Sequence, residues 1–168
     1  MKLNPTLLVA GLALVGGCSD DRLTVKEPID TKAGEISPAE SARADQAATA
    51  KINKAAKAVY FGFDASTLDG PAQAALAQIA YVLKDNPALN FTIEGHADER
   101  GSTEYNLALG EKRAHAVKTY LVNLGIDEKH LRTVSYGEEQ PVAQGHNEEA
   151  WSKNRRAAFV KAYAPFAH

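Results

Sequence analysis

The sequence predicts an α+β domain over residues 58–166, preceded by a signal peptide and a flexible tether. Its expected element order is β-α-β-α-β-α-β, with the helices packed on one face of a four-stranded mixed sheet. Four short runs with strand character alternate with three segments of helical periodicity. The composition also changes at Ala58, after which the chain has the apolar residues to form one core.

Residues 58–86 contain the first strand and the first helix of the domain. The run AVYFGF at 58–63 is rich in aromatic and β-branched residues, which is typical of a short strand. The DGP stretch at 69–71 then opens a helix, because proline is tolerated in the first helical turn. Apolar residues recur at helical spacing as far as Leu83, and the NP pair at 86–87 ends the helix.

A second strand and a long helix follow. The run LNFTIEG at 89–95 alternates apolar and polar residues, so one face of this strand is expected to be buried. Ser102 or Thr103 can cap a helix that ends at Gly125. The helix positions expected to face the core are Leu107, Ala114, Val117, Leu121 and Leu124.

The last three elements are shorter. The run LRTVSYG at 131–137 predicts a third strand, and RRAAFVKAY at 155–163 predicts a fourth. Between them, NEEAWSKN at 147–154 predicts a short helix. The domain therefore has one helix in each connection between successive strands.

The overall composition limits the classes of function. The chain has 168 residues and a formal net charge of −2, with nearly balanced charges on both sides of residue 57. Binding to nucleic acid is therefore not expected. The single cysteine excludes an intrachain disulfide, and no motif indicates a cofactor.

Residues 1–17 are predicted to be a lipoprotein signal peptide. Lys2 precedes an apolar run at 7–15 that is too short to span a bilayer. The residues VGG directly before Cys18 resemble the lipobox of bacterial lipoproteins, which implies lipidation of Cys18. Ser19 favours the outer membrane as the destination. A plain signal peptide with an incidental cysteine is the alternative.

Residues 18–57 are predicted to be the lipidated cysteine and a flexible tether. This segment has few large apolar residues and no aromatic residue, so it cannot bury enough surface to offset the entropy of ordering. Ser37 and Pro38 could start an Ala-rich helix, which would be marginal without a broad apolar face.

The stretch GHADERGSTEYNLALGEKRA at 95–114 carries the candidate site. Asp98 lies in the loop after the second strand, at the start of the long helix. Asn106, Leu109 and Arg113 follow at spacings of three and four, so they share one face of that helix. An anionic and a planar cationic side chain can therefore face one another across a shallow groove.

Two interpretations of this pair remain open from the spacing alone. Asp98 and Arg113 could clamp a small zwitterion, with Asp98 accepting an ammonium and Arg113 binding a carboxylate. They could equally form a surface salt bridge of about 0–1 kcal/mol. A metal site is disfavoured, because His96 and Asp98 have no further ligand motif, and a hydrolase is disfavoured because no motif links a nucleophile to a base.

Six motifs occur in the order found in a known family. They are VYFGFD from Val59, GHADERG from Gly95, EYN from Glu104, LGEKRA from Leu109, VSYG from Val134 and KNRRA from Lys153. Together they resemble the OmpA-like peptidoglycan-binding domain, and GHADERG followed by EYN points to its lipoprotein branch. The resemblance covers about 100 residues, and two positions, Gly62 and Lys112, depart from the usual pattern.

The resemblance implies a ligand, which is the diaminopimelate residue of the peptidoglycan stem peptide. Asp98 is expected to bind its ammonium and Arg113 its carboxylate. The residues expected to line the same site are Asn106, Leu109, Phe63, Asp64 and Arg155. No catalysis and no metal are implied.

The resemblance also implies partners and a location. The protein is expected at the periplasmic face of the outer membrane of a Gram-negative envelope, anchored by a lipid on Cys18. It would link that membrane to peptidoglycan, and TolB and other Tol proteins are the expected protein partners in envelope integrity and cell division. The alternative is a periplasmic lipoprotein module that mainly binds a protein such as TolB.

Overall fold

A computed structural model describes residues 37–55 and 57–162. The predicted signal peptide, Cys18 and the first part of the predicted tether lie outside the described residues. So do residues 163–166, which were expected to end the domain.

The sheet and its helices confirm the predicted fold class. The sheet has the order β1-β4-β2-β3, with β1 and β2 antiparallel to β4 and β2 parallel to β3. The elements are α1 Pro38–Ala55, β1 Ala58–Tyr60, α2 Gly70–Asp85, β2 Asn90–His96, α3 Thr103–Asn123, a 3-10 turn Glu128–His130, β3 Leu131–Gly137, α4 Glu148–Asn154 and β4 Arg156–Ala162. The predicted first strand is three residues shorter at its end, because the chain turns away after Tyr60.

The core lies between the sheet and the helices α2 and α3. Phe91 and Ile93 of β2 are buried against the apolar stripes of the two helices, which include Ile79 and Leu121. Of the predicted core positions in α3, Ala114 and Val117 are also fully buried. Helix α3 packs directly on β2 and β3, so its N-terminal half stands over the ends of these strands.

Helix α1 is the main departure from the predicted organisation. Over Pro38–Ala55 the structure has a helix that packs on α2, and the expected flexible tether is wrong for this segment. Ala48 and Ile52, four residues apart on one face, are buried in the core cluster. A narrow apolar stripe is therefore sufficient, because packing on α2 stabilises the helix more than its own propensity does.

Helix α1 has further fixed contacts at its N-terminus and along its length. Ser37 and Glu40 form a capping box, in which the Ser37 Oγ accepts from the Glu40 amide at 3.3 Å and the Glu40 carboxylate accepts from the Ser37 amide at 3.2 Å. The Lys161 Nζ lies 3.0 Å from the Asp45 carboxylate and ties α1 to β4. The segment before the sheet therefore belongs to the domain from residue 37.

Candidate functional site

A groove of about 250 Å³ opens where three segments meet. These are the loop after β1, the loop after β2 and the N-terminal half of α3. The residues that line it are Phe63, Asp64, Asp98, Arg100, Gly101, Tyr105, Asn106, Leu109 and Arg113. Six of the seven side chains predicted for the site therefore line one groove, and only Arg155 lies outside this lining.

The position of α3 depends on two glycines. A Cβ atom at Gly95 would lie 2.6 Å from the carbonyl carbon of Gly110, and closer still to its oxygen. The backbone of α3 can therefore touch that of β2 only because neither residue has a side chain. The Ser102 Oγ accepts from the Tyr105 amide at 3.2 Å and starts the helix beside the groove.

Arg113 is a fully buried cation at the base of the groove. Its guanidinium donates to three carbonyl oxygens, those of Ala65 at 2.8 Å, His96 at 2.8 Å and Gly62 at 3.1 Å. Burial lowers the pKa of Arg113 to about 10. Within residues 37–55 and 57–162, no carboxylate lies within ion-pair distance of it. Since a guanidinium has five N–H groups, part of its donor capacity remains for a ligand.

Asp98 has different partners from those expected. Its carboxylate accepts from the Arg100 side chain at 2.8 and 3.1 Å and from the Arg155 Nη1 at 3.4 Å. Burial alone would raise the pKa of Asp98, but the hydrogen bonds from Arg100 and Arg155 outweigh it, and the pKa lies below its usual value. Asp98 is 5% exposed and Arg113 0% exposed, so the interpretation as a surface salt bridge between the two is wrong.

Arg155 supports the site from behind. It is buried, and its Nε donates to the Phe61 carbonyl at 3.0 Å. Its two terminal nitrogens contact Asp98 and the Glu148 carboxylate, the latter at 2.5 Å. Arg155 therefore orients Asp98 and holds α4 against the site.

Arg100 is a groove residue that was not predicted. Its guanidinium lies between the rings of Phe63, at 4.1 Å, and Trp151, at 4.0 Å. It binds Asp98, and its Nη2 lies 3.8 Å from Glu148. Arg100 stands two residues after Asp98 in the same loop, so the spacing within GHADERG could have predicted that it lines the groove.

The opposite wall of the groove is held by hydrogen bonds between distant segments. The Tyr105 hydroxyl donates to Asp64, and the Asn106 amide donates to Glu138. Asp64 has a φ of 50°, a conformation that is uncommon for residues other than glycine. Among the described residues, it is the one non-glycine residue with a positive φ. Tyr105 was also missed, and its position directly before Asn106 was the only signal for it.

Three comparisons relate this arrangement to known proteins. The sequence model of the OmpA family matches residues 60–155. The chain belongs to the OmpA family. It is 40% identical over 160 residues to the peptidoglycan-associated lipoprotein of Pasteurella multocida, which covers 95% of this chain and 98% of that protein.

Two further peptidoglycan-associated lipoproteins are similar to this OmpA-family chain. The peptidoglycan-associated lipoprotein of Haemophilus influenzae is 51% identical over 102 residues, which is 61% of this chain and 67% of that protein. The crystal structure of the peptidoglycan-associated lipoprotein from Burkholderia pseudomallei is similar at a TM-score of 0.63 and 47% identity. That match covers 64% of this chain and 92% of that one. The family is structural and not enzymatic, so the chain is not an enzyme.

Other functional features are few in the described part of this OmpA-family protein. Residues 37–55 and 57–162 contain no group of three or more His, Cys, Asp or Glu side chains that could hold a metal ion. No helix in the same two ranges has the length and the apolar character needed to cross a membrane.

His96 lies beneath the groove, and its imidazole is buried from solvent. The residue is 1% exposed, and its ring stacks on that of Tyr136 with centroids 5.6 Å apart. Neither ring nitrogen has a hydrogen-bond partner among the described residues. Burial, with a smaller contribution from the charge of Arg156, lowers the pKa of His96 to about 4. Its backbone carbonyl is the part that serves the site, because it accepts from Arg113.

The buried ring of His96 predicts a loss of stability in mild acid. The folded pKa of about 4 lies below the ordinary value of 6.5, so the unfolded chain takes up a proton that the folded domain excludes. The free energy of unfolding should therefore fall as the pH drops from 6.5 towards 4, by up to about 3 kcal/mol from this group.

Urea unfolding of the wild type and of His96→Phe, at about pH 7 and about pH 4.5, measures this contribution. Phenylalanine keeps the stacking on Tyr136 but cannot take up a proton. The variant should lose less stability between the two pH values than the wild type does. Equal losses would contradict the assignment to His96.

Proposed function

We propose that this chain is an outer-membrane lipoprotein that binds the diaminopimelate stem peptide of peptidoglycan non-covalently and so links the outer membrane to the cell wall. The observation that carries the proposal is the charge of Arg113. It is fully buried at the base of an open groove, next to Asp98, and its hydrogen-bond partners among the described residues are carbonyl oxygens. A buried cation without an anion favours an anionic ligand.

The free end of diaminopimelate matches the groove in charge. It carries an ammonium and a carboxylate on one carbon atom. In the proposed complex Arg113 binds the carboxylate and Asp98 the ammonium, while Asn106 and Leu109 lie on the same face of α3 and line the wall between them. Each hydrogen bond to a charged group contributes about 1.5–3 kcal/mol, which supports reversible attachment.

The relatives support the parts of the proposal that concern peptidoglycan and the lipid anchor. Those named above are peptidoglycan-associated lipoproteins. We propose the corresponding lipid anchor on Cys18, with residues 19–36 between the anchor and the domain. TolB and the other Tol proteins are the proposed protein partners, in envelope integrity and cell division.

Titration of the full chain with three matched stem peptides tests the ligand. The first contains diaminopimelate, the second contains lysine and so lacks the distal carboxylate, and the third contains 2-aminopimelate and so lacks the distal ammonium. Each truncated peptide should bind about tenfold or more weakly, because one charged hydrogen-bonding group is missing. NMR shifts should centre on Asp98, Asn106 and Arg113.

Equal affinities for all three peptides would contradict the assigned roles of Asp98 and Arg113. Absence of binding to any of them, together with retention of purified TolB, would favour the alternative module that mainly binds a protein. Because the ligand and not the protein is altered, these outcomes do not depend on the stability of a variant.

The anchor has a separate test. Replacing Cys18 with alanine should move the protein from the membrane fraction to the soluble periplasmic fraction. The variant lacks the acyl chains whose burial in the bilayer provides the proposed anchor. Immunoblots of the fractions, with a radiolabelled palmitate control, measure this. Continued membrane association of Cys18→Ala would contradict lipidation as the anchor.

A further inference from the structure

The carboxylate of Asp98 is fully occupied in the described structure. Its Oδ1 accepts from the backbone amide and the Nε of Arg100, both at 3.1 Å. Its Oδ2 accepts from the Arg100 Nη2 at 2.8 Å and the Arg155 Nη1 at 3.4 Å. A carboxylate offers about four acceptor positions, and all are in use. An ammonium can bind here only if one of these donors leaves.

Arg100 is the donor that can leave. Arg155 is 7% exposed and is held by the Phe61 carbonyl as well as by Glu148. The Arg100 side chain is 31% exposed and lines the groove. Its guanidinium lies between two aromatic rings, so it can slide in its own plane and keep both cation–π contacts.

A second carboxylate stands next to Arg100. One oxygen of Glu148 is bound to Arg155, and the other lies 3.8 Å from the Arg100 Nη2. The Glu148 side chain is 63% exposed, so it can adjust at little cost. A movement of about 1 Å would bring this oxygen and Arg100 within ordinary hydrogen-bond distance.

We propose that Glu148 is a positioning residue that receives Arg100 when the ammonium of the ligand takes its place on Asp98. The inference rests on the proposed function. In the exchange every cation keeps an anion, since the ammonium pairs with Asp98 and Arg100 pairs with Glu148. Without Glu148, Arg100 would stay beside the incoming ammonium as an uncompensated like charge.

The experiment compares two ligands on three proteins by calorimetry of the full chain. The ligands are the diaminopimelate peptide and the 2-aminopimelate peptide, and the proteins are the wild type, Glu148→Gln and Glu149→Gln. Glu148→Gln should bind the diaminopimelate peptide about tenfold more weakly, because Arg100 has lost its charged acceptor. Its affinity for the 2-aminopimelate peptide should not change, because that ligand leaves Arg100 on Asp98.

Glu149→Gln is the matched control. It removes the same charge from the same helical turn, but Glu149 pairs with Lys153 at 3.0 Å. Among the described residues, Arg100 and Arg155 form ion pairs with Glu148 and not with Glu149. The control should bind both peptides as the wild type does. Glutamine at 148 still offers an oxygen to Arg155, so the shape of the site is preserved.

Three results would overturn the inference while leaving the proposed function intact. The first is equal weakening of both peptides by Glu148→Gln, which would mean that Glu148 only supports Arg155. The second is no weakening of either peptide, and the third is the same selective loss in Glu149→Gln. A wild type that binds neither peptide would overturn both the inference and the proposed function.

Discussion

Replacing Asp98 with asparagine is expected to abolish retention by purified peptidoglycan and to lower the free energy of unfolding by about 3 kcal/mol. Asp98 is the shared anion of Arg100 and Arg155, and it is buried with Arg155. The neutral amide leaves the two guanidinium groups facing each other across a site with less negative charge. It also removes the proposed acceptor for the ligand's ammonium.

Glu99→Gln provides the comparison for this variant. Glu99 is the next residue in the same loop, its side chain is 44% exposed, and it accepts from Trp151 and His146 at the rim of the site. This change should cause a much smaller loss of stability and leave retention by sacculi intact. Denaturant unfolding and sacculus pull-downs measure the two effects, and similar results for both variants would contradict the special role of Asp98.

Replacing Gly95 with alanine is expected to lower the free energy of unfolding by about 3 kcal/mol or more. The added methyl group would overlap the carbonyl group of Gly110, which is backbone and cannot rotate away. Helix α3 would have to move off β2. Because Asn106, Leu109 and Arg113 lie on this helix, the variant should also weaken binding of the stem peptide.

Gly70→Ala is the matched glycine substitution. An ideal Cβ at Gly70 meets nothing within 4 Å, and the residue stands in the first turn of α2. Its stability should fall much less than that of Gly95→Ala, because the constraint on the new methyl group comes from the following Pro71, which mildly disfavours a helical conformation at residue 70. If Gly95→Ala were equally well tolerated in denaturant unfolding, the close contact between α3 and β2 would not be essential.

The structure also shows how far local sequence patterns can predict an element. Helices α2 and α3 begin and end close to the predicted positions, because caps and terminators are properties of neighbouring residues. The stability of helix α1 was underestimated, because Ala48 and Ile52 form a narrow apolar stripe that stabilises the helix by packing on α2. The contribution of such a stripe depends on a surface formed by residues far away in the chain.

The candidate site, too, could be predicted from the sequence only in part. The periodicity of α3 placed Asn106, Leu109 and Arg113 on one face, and the resemblance assigned Phe63 and Asp64 beside them. The actual partners could not be predicted, because the carbonyls that bind Arg113 belong to residues 17 to 51 positions away in the chain. Glu148 is separated from Asp98 by the whole of α3 and β3.

By itself, the sequence determined the order of the strands and α-helices from β1 to β4, and the presence of an acid before α3 and a base within it. It did so because propensity, caps and periodicity act over a few residues. Only the tertiary structure decided that Asp98 and Arg113 do not pair with each other, and that Arg100 and Arg155 share Asp98. The physical reason is that burial, and competition between cations for one carboxylate, depend on which distant segments come into contact. The close approach of α3 to β2 at Gly95 and Gly110 determines which segments do so at this site.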